Sequence, residues 1–140
     1  MNFLLDTNVV SEWAKPKPDQ GIVAWLAATP EDATYLSVVT LTELRYGIAL
    51  LAESKRKRDL NSWLETALPR RFHDRLLQVT PEIADRCGVL QAASRRRGRS
   101  LHAMDGFIAA TAAVQGMTLV TRNTRDFTAL ELKIVNPWIV

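Results

Sequence analysis

Short, wholly apolar runs alternate along the chain with longer stretches whose apolar residues recur every three or four positions, and that alternation predicts the elements. Phe3-Leu4-Leu5 is apolar throughout and stops at Asp6, the pattern of a buried central strand. A helical turn follows over Thr7 to Lys15, ended by the Lys15-Pro16-Lys17-Pro18 segment. Ile22 to Ala28 reads as a second helix, with Ile22, Trp25 and Leu26 on one face. Thr34 to Ser37 is rich in aromatic and β-branched residues and predicts a second strand. Thr40 to Asp59 carries Leu44, Ile48 and Leu51 at helical spacing, and Leu60 to Phe72 repeats that spacing with Leu60, Trp63, Leu64 and Leu68. Leu76 to Val79 predicts a third strand. Pro81 to Arg97 predicts an amphipathic helix with Pro81 in its first turn and Gly98 at its C-terminal cap. Met104 to Gln115 predicts another, closed by Gly116; Thr118 to Thr121 and Lys133 to Val135 are the last strands.

Strand and helix in regular alternation imply an α/β fold: a mostly parallel sheet with helices on both faces, one domain spanning 1–140. Ligands of such sheets bind beyond the carboxyl ends of the strands, and acids stand at several of those places. Asp6 ends the first strand, Glu43 sits in the first turn of the helix after the second, Asp105 near the start of the Met104 helix, and Asp126 after the Thr118 strand. Each has a plain structural reading too. Asp6 suits a helix N-cap, Thr40-x-x-Glu43 matches a capping box, and Asp105 is favoured by a helix dipole. Brought together, however, carboxylates repel unless a cation joins them. Oxygen ligands suit Mg²⁺ or Mn²⁺, and such an ion can activate water and stabilise charge on a phosphodiester.

Composition narrows the field. Apolar residues at 47% and charged residues at 24% exclude a disordered chain. The single cysteine, Cys87, cannot form an internal disulfide and reads as a small buried group. No apolar run approaches the ~20 residues of a membrane helix, and the N-terminus meets an acid at Asp6, unlike a signal peptide. A cytoplasmic location is the expectation. The net charge of +3 fits a polyanionic partner without establishing one. Its clusters, Lys55 to Arg58 and Arg95, Arg96, Arg97 with Arg99, read either as phosphate contacts or as solvated helix ends. Trp13, Trp25 and Trp63 follow apolar helix faces and read as packing residues. There is no GxGxxG after a strand and no GxxxxGK[ST], so dinucleotide and P-loop functions fall away. A haloacid-dehalogenase-type phosphotransferase needs a second Asp two residues after the first, where this chain has Asn8.

From Asn2 to Trp138 the sequence resembles PIN-domain proteins. The resemblance rests on LLDTNVVSE at Leu4 to Glu12, LSVVTLTELRYG at Leu36 to Gly47, MDGFIAATA at Met104 to Ala112, LVTRNTRDF at Leu119 to Phe127 and NPW at Asn136 to Trp138, in that order. It is nearest to VapC-like toxins ending in NPW. The resemblance implies a three-layer PIN-like sandwich and a Mg²⁺- or Mn²⁺-dependent endoribonuclease. Asp6, Glu43 and Asp105 would be its metal-binding acids, with Thr7 or Asn8 orienting them and Thr121 lining the site. A fourth acid is common in the family. Here the position two residues past the threonine is Asn123, so that role falls to Asn123 as a neutral neighbour, to Asp126 as the acid, or to both. The resemblance further implies a homodimer and an antitoxin partner; the apolar helix faces around Leu44, Ile48, Leu51, Leu60 and Trp63 read either as the groove for that partner or as core packing. RNA cleavage as a toxin is the function expected; a PIN nuclease of RNA processing, or a non-catalytic RNA- or protein-binding domain whose acids are caps, is the alternative.

Overall fold

The computed structural model describes residues 1–138; Ile139 and Val140, included in the expected domain span, lie outside it. Five parallel strands form one sheet in the order β3-β2-β1-β4-β5: β1 is Phe3–Leu5, β2 Thr34–Ser37, β3 Leu76–Leu77, β4 Thr118–Val120 and β5 Ile134–Val135. All five lie where the apolar runs predict strands. Successive side chains on a strand point to opposite faces, and here both faces are buried. Leu5, Leu36 and Val120 enter one core cluster, while Leu4 and Leu119 enter the other.

Helices cover each face. The first cluster is closed by α1 (Thr7–Trp13), α2 (Gln20–Ala28), α3 (Val38–Ala49) and the run α4 (Lys55–Ser62), a π turn (Trp63–Ala67) and α5 (Leu68–Arg71). The second is closed by α7 (Ala103–Gln115) and α8 (Thr124–Phe127), with α6 (Pro81–Arg96) packed along α7 through Ile83, Cys87 and Ala110. The tryptophans expected in packing are there: Trp13 meets Phe72 edge-on at 6.3 Å and Trp25 meets Phe3 at 5.0 Å. Gly116, at φ 66°, closes α7 in the left-handed conformation that glycine adopts without strain.

Three local readings change. The helix after β2 begins at Val38, capped by the Ser37 hydroxyl accepting from the Val39 N–H. Glu43 is therefore in its second turn, not its first, and does not close a capping box with Thr40. The helix also stops at Ala49 instead of running on toward Asp59, because Ser54 caps a new helix by accepting from the Lys57 N–H. That break puts Lys55 to Arg58 in the first turn of α4, where the helix dipole disfavours cations. Finally, Thr124–Phe127 forms the short helix α8 that the pattern does not reveal, since one turn shows no periodicity.

Helices α6 and α7 approach closely at Gly106. A Cβ on Gly106 would stand 2.9 Å from Cys87 Sγ and 3.4 Å from Gln91 Cγ, and Gly106 follows Asp105 directly. Gly106→Ala is expected to destabilise the protein by about 1–3 kcal/mol through overpacking, outweighing the gain of about 1 kcal/mol from better helix propensity. Denaturant unfolding of the two single variants and the Cys87→Ala/Gly106→Ala double variant checks this. The double variant should recover most of the overpacking loss, whereas simple additivity would show that the two residues do not meet.

Candidate functional site

The pairing of β1 with β4 builds the centre of the site. Leu5 is in register with Val120, so the next residues, Asp6 and Thr121, leave the sheet side by side. The Asp6 N–H donates to the Val120 carbonyl at 2.9 Å, and the Thr121 hydroxyl donates to Asp6 Oδ2 at 2.7 Å. Asp6 is also the N-cap of α1: its Oδ1 accepts from the Thr7 N–H at 2.7 Å. Its capping role and its place in the site are thus one arrangement. Only 4% of Asp6 is exposed.

Neighbouring polar groups extend this centre. The Thr7 hydroxyl donates to Glu43 Oε1 at 2.6 Å and lies 3.1 Å from the Thr40 hydroxyl, tying α1 to α3. Asn8 Nδ2 lies 3.4 Å from both Asp6 Oδ2 and Thr121 Oγ1, while its Oδ1 accepts from the Arg122 N–H at 3.4 Å. The Asn123 N–H donates to Thr121 Oγ1 at 3.0 Å. Asp105 arrives from the first turn of α7, whose N-cap is His102; the His102 ring accepts from the Met104 N–H. A cleft of about 350 Å³ is lined by Asp6, Glu43 and Asp105 together with Thr7, Asn8 and Asn123.

The other expected residues lie elsewhere. Asp126 is exposed on α8 and does not line the cleft, though it is near enough to Asp105 to raise that group's pKa. Arg95, Arg96, Arg97 and Arg99 stand at the far end of α6. Arg97 reaches the Ala129 carbonyl and Arg99 the Arg125 carbonyl at 3.1 Å, and Arg95 and Arg99 line a separate depression. Sequence reasoning also missed five residues that line the cleft: Ser11, Glu12, Lys15, Arg122 and Trp138. Asn8, Ser11, Glu12 and Lys15 recur at steps of three, one and three, the signal of one helix face. Glu12 is buried, accepting from the Asp19 N–H at 2.9 Å and pairing with Lys15 Nζ at 2.8 Å. The lysine holds the Glu12 carboxyl below its usual pKa.

Four carboxylates line the cleft; Glu12 is paired with Lys15, and among the described residues Asp6, Glu43 and Asp105 have no ion pair. Burial pushes the Asp6 carboxyl up to about 6, with Asp105 and Glu43 adding to the rise against the hydrogen bonds from Thr121 and Thr7. Burial also raises Asp105, reinforced by Glu43 and Asp126 and opposed by His102. Among the described residues no three acid, histidine or cysteine side chains are already drawn into a ligand cluster. Mutually repelling anions stay apart without a cation between them, and here Asp6 and Glu43 turn to hydroxyl and N–H donors. An oxygen-only donor set with uncompensated charge fits a hard divalent cation.

The Asp6 shift sets a pH dependence whose sign follows from linkage. Because its folded pKa lies above the unfolded value of 3.8, the folded protein holds the proton more tightly. The metal-free protein therefore gains stability as pH falls from above 6 toward 4, by on the order of 3 kcal/mol from this group. Asp105 acts in the same direction and Glu12 in the opposite one. Asp6→Asn, which keeps the shape, isolates the effect: the stability difference between variant and wild type should be largest at pH 7 and shrink toward pH 4. Denaturant unfolding in EDTA across that range measures it, and a pH-independent difference would refute the burial of an ionised carboxylate.

Comparison with known proteins agrees with this geometry. A model of the PIN domain matches residues 3–132. The chain is 38% identical over 136 residues to Toxin FitB of Neisseria gonorrhoeae, covering 97% of this chain and 98% of FitB. It is 36% identical over 136 residues to VapC ribonuclease Y4jK of Sinorhizobium fredii, covering 97% of each. Among solved structures, that of FitAB bound to an IR36 DNA fragment superposes with a TM-score of 0.91 at 37% identity, covering 99% of this chain and 96% of that one. With its five-stranded parallel sheet between two helical layers and its acids gathered at the ends of the central strands, the chain belongs to the PIN-domain family.

Proposed function

We propose that this chain, as one PIN-like domain, is a Mg²⁺- or Mn²⁺-dependent endoribonuclease and the toxin of a VapBC-like toxin–antitoxin pair, working in the cytoplasm as a homodimer. The observation that carries the reading is the set Asp6, Glu43 and Asp105: three carboxylates lining one cleft at the carboxyl end of a parallel sheet, none of them in an ion pair among the described residues. Kinship supports the activity, since one relative is named a ribonuclease and another a toxin. Among the described residues no helix is long and apolar enough to cross a membrane.

Asp6, Glu43 and Asp105 would hold the ion. When bound, a divalent ion lowers the pKa of water and stabilises the negative charge that develops on the phosphoryl group. The chain's own work is to hold and aim these acids. Thr121 and Thr7 fix the two Asp6 oxygens, and Thr7 also orients Glu43. Asn123 takes the neutral place beside Thr121, and Asp126 tunes Asp105 from outside the cleft. No side chain is needed as a nucleophile; Cys87 is buried on α6, and His102 caps α7.

An antitoxin has a place to bind. A cleft of about 240 Å³, mostly apolar, lies between α3 and α4, lined by Gly47, Leu51, Leu60 and Trp63 over the buried Leu44 and Ile48. It shares Ser11, Lys15 and Glu43 with the carboxylate cleft, so a segment filling it would end at the acids.

Purified protein free of antitoxin, incubated with total cellular RNA, tests the reading. Discrete fragments should appear with Mg²⁺ or Mn²⁺ and disappear with EDTA. Asp6→Ala and Asp105→Ala should each lower the rate by about a hundredfold or more while the circular dichroism spectrum stays native. Cleavage that survives both substitutions would return these acids to helix caps.

A further inference from the structure

We propose that Thr40 is a positioning residue of the carboxylate cleft: its hydroxyl holds Thr7, and Thr7 sets where Glu43 stands beside Asp6 for a divalent cation. This rests on the cation reading above and adds to it a residue outside the cleft lining. Thr7 touches two of the acids at once. Its N–H donates to Asp6 Oδ1 at 2.7 Å and its hydroxyl to Glu43 Oε1 at 2.6 Å. Glu43 accepts no other hydrogen bond among the described residues, so Thr7 alone aims this flexible side chain. The Thr7 hydroxyl has a single proton and two oxygens within reach, Glu43 Oε1 and, at 3.1 Å, Thr40 Oγ1. An ionised carboxylate can only accept, so that proton goes to Glu43 and the Thr40 hydroxyl donates to Thr7. The three groups form a chain with a fixed direction, from Thr40 through Thr7 to Glu43, in which each bond strengthens the next.

Packing alone does not call for a hydroxyl at position 40. Thr40 is fully buried in the first turn of α3, where valine would fill the same space. A buried hydroxyl costs free energy unless it is bonded. Two other threonines in this chain bond to carbonyls four residues back along their own helices: Thr29 donates to Trp25 and Thr111 to Phe107, each at 2.7 Å. The residue four places before Thr40 is Leu36, which lies in β2 and outside the helix. Thr40 has instead one side-chain partner among the described residues, Thr7 on α1. Groups that brace a metal's ligands from behind set affinity for the metal as well as the shape of the site. A tie that served only to join α1 to α3 would change stability and leave cation binding alone.

Thermal unfolding of wild type, Thr40→Val and Thr40→Ser across a Mn²⁺ titration, with EDTA as the reference, tests this. Thr40→Val keeps the shape and removes the hydroxyl. It should unfold within a few degrees of wild type in EDTA, yet need about tenfold more Mn²⁺ for the same rise in unfolding temperature. Thr40→Ser keeps the hydroxyl and loses a buried methyl, so it should unfold earlier in EDTA and retain the wild-type Mn²⁺ requirement. In a Glu43→Gln background Thr40→Val should change that requirement little, because its effect passes through Glu43. If Thr40→Val does not fold, Thr40→Ala, which also lacks the hydroxyl, takes its place beside Thr40→Ser. A Thr40→Val requirement equal to that of wild type, a Thr40→Ser requirement raised as far as that of Thr40→Val, or full additivity with Glu43→Gln would overturn the role of Thr40 and leave the cation site standing. Wild type that gains nothing from Mn²⁺ would overturn the cation reading, and the role of Thr40 with it.

Discussion

Asp6 is asked to do two things that conflict. It must leave the sheet between β2 and β4 and cap α1, which buries it to 4% exposure. It must also carry a charge, and nothing in the described chain neutralises it. The hydrogen bonds from Thr121 and the Thr7 N–H favour the ionised form, and burial outweighs them. The rest of the structure is arranged around this residue. The β1–β4 register delivers Thr121, α1 turns Thr7 and Asn8 inward, and α3 and α7 bring the two further acids that make the anion problem worse. A stable core elsewhere absorbs the cost. Two clusters of aliphatic side chains sandwich the sheet, and the strain stays at one edge of it.

Such a site trades stability for function. Replacing an acid by its amide should help a metal-free fold and remove the means of holding a cation. The same logic explains the neutral residues between the acids. Thr7, Asn8 and Thr121 supply donors without adding charge, so Asp6 and Glu43 are oriented before any ion or substrate arrives. Pre-orientation of this kind costs no rearrangement at the moment of reaction.

The sheet was legible because both its faces are buried: strands covered on two sides must be apolar at every position, as Phe3 to Leu5 and Thr118 to Val120 nearly are. Asp6 and Asp105 were legible because they follow directly on strand ends or open helices. Glu43 was found as a site residue but misplaced within its helix, since Thr40-x-x-Glu43 imitates a cap while Ser37 supplies the real one. The break at Ala49 and the single turn α8 escaped because each is decided by local hydrogen bonds, not by a repeating pattern. Charge density does not reveal which cation lies by the acids, for a related reason. Arg95 to Arg99 form the denser run, yet Arg122 lines the cleft, and the Leu5–Val120 register brings it there.

The central claim is that Asp6, Glu43 and Asp105, which line one cleft, together form a cation site. Thermal unfolding of wild type and Asp6→Asn, each in EDTA and in millimolar Mn²⁺, tests it without relying on any RNA substrate. A ligand that binds only the folded state stabilises it by mass action. Wild type should therefore rise by several degrees with Mn²⁺, and Asp6→Asn should start higher in EDTA and gain little. Equal gains in both proteins, or none in wild type, would contradict the account.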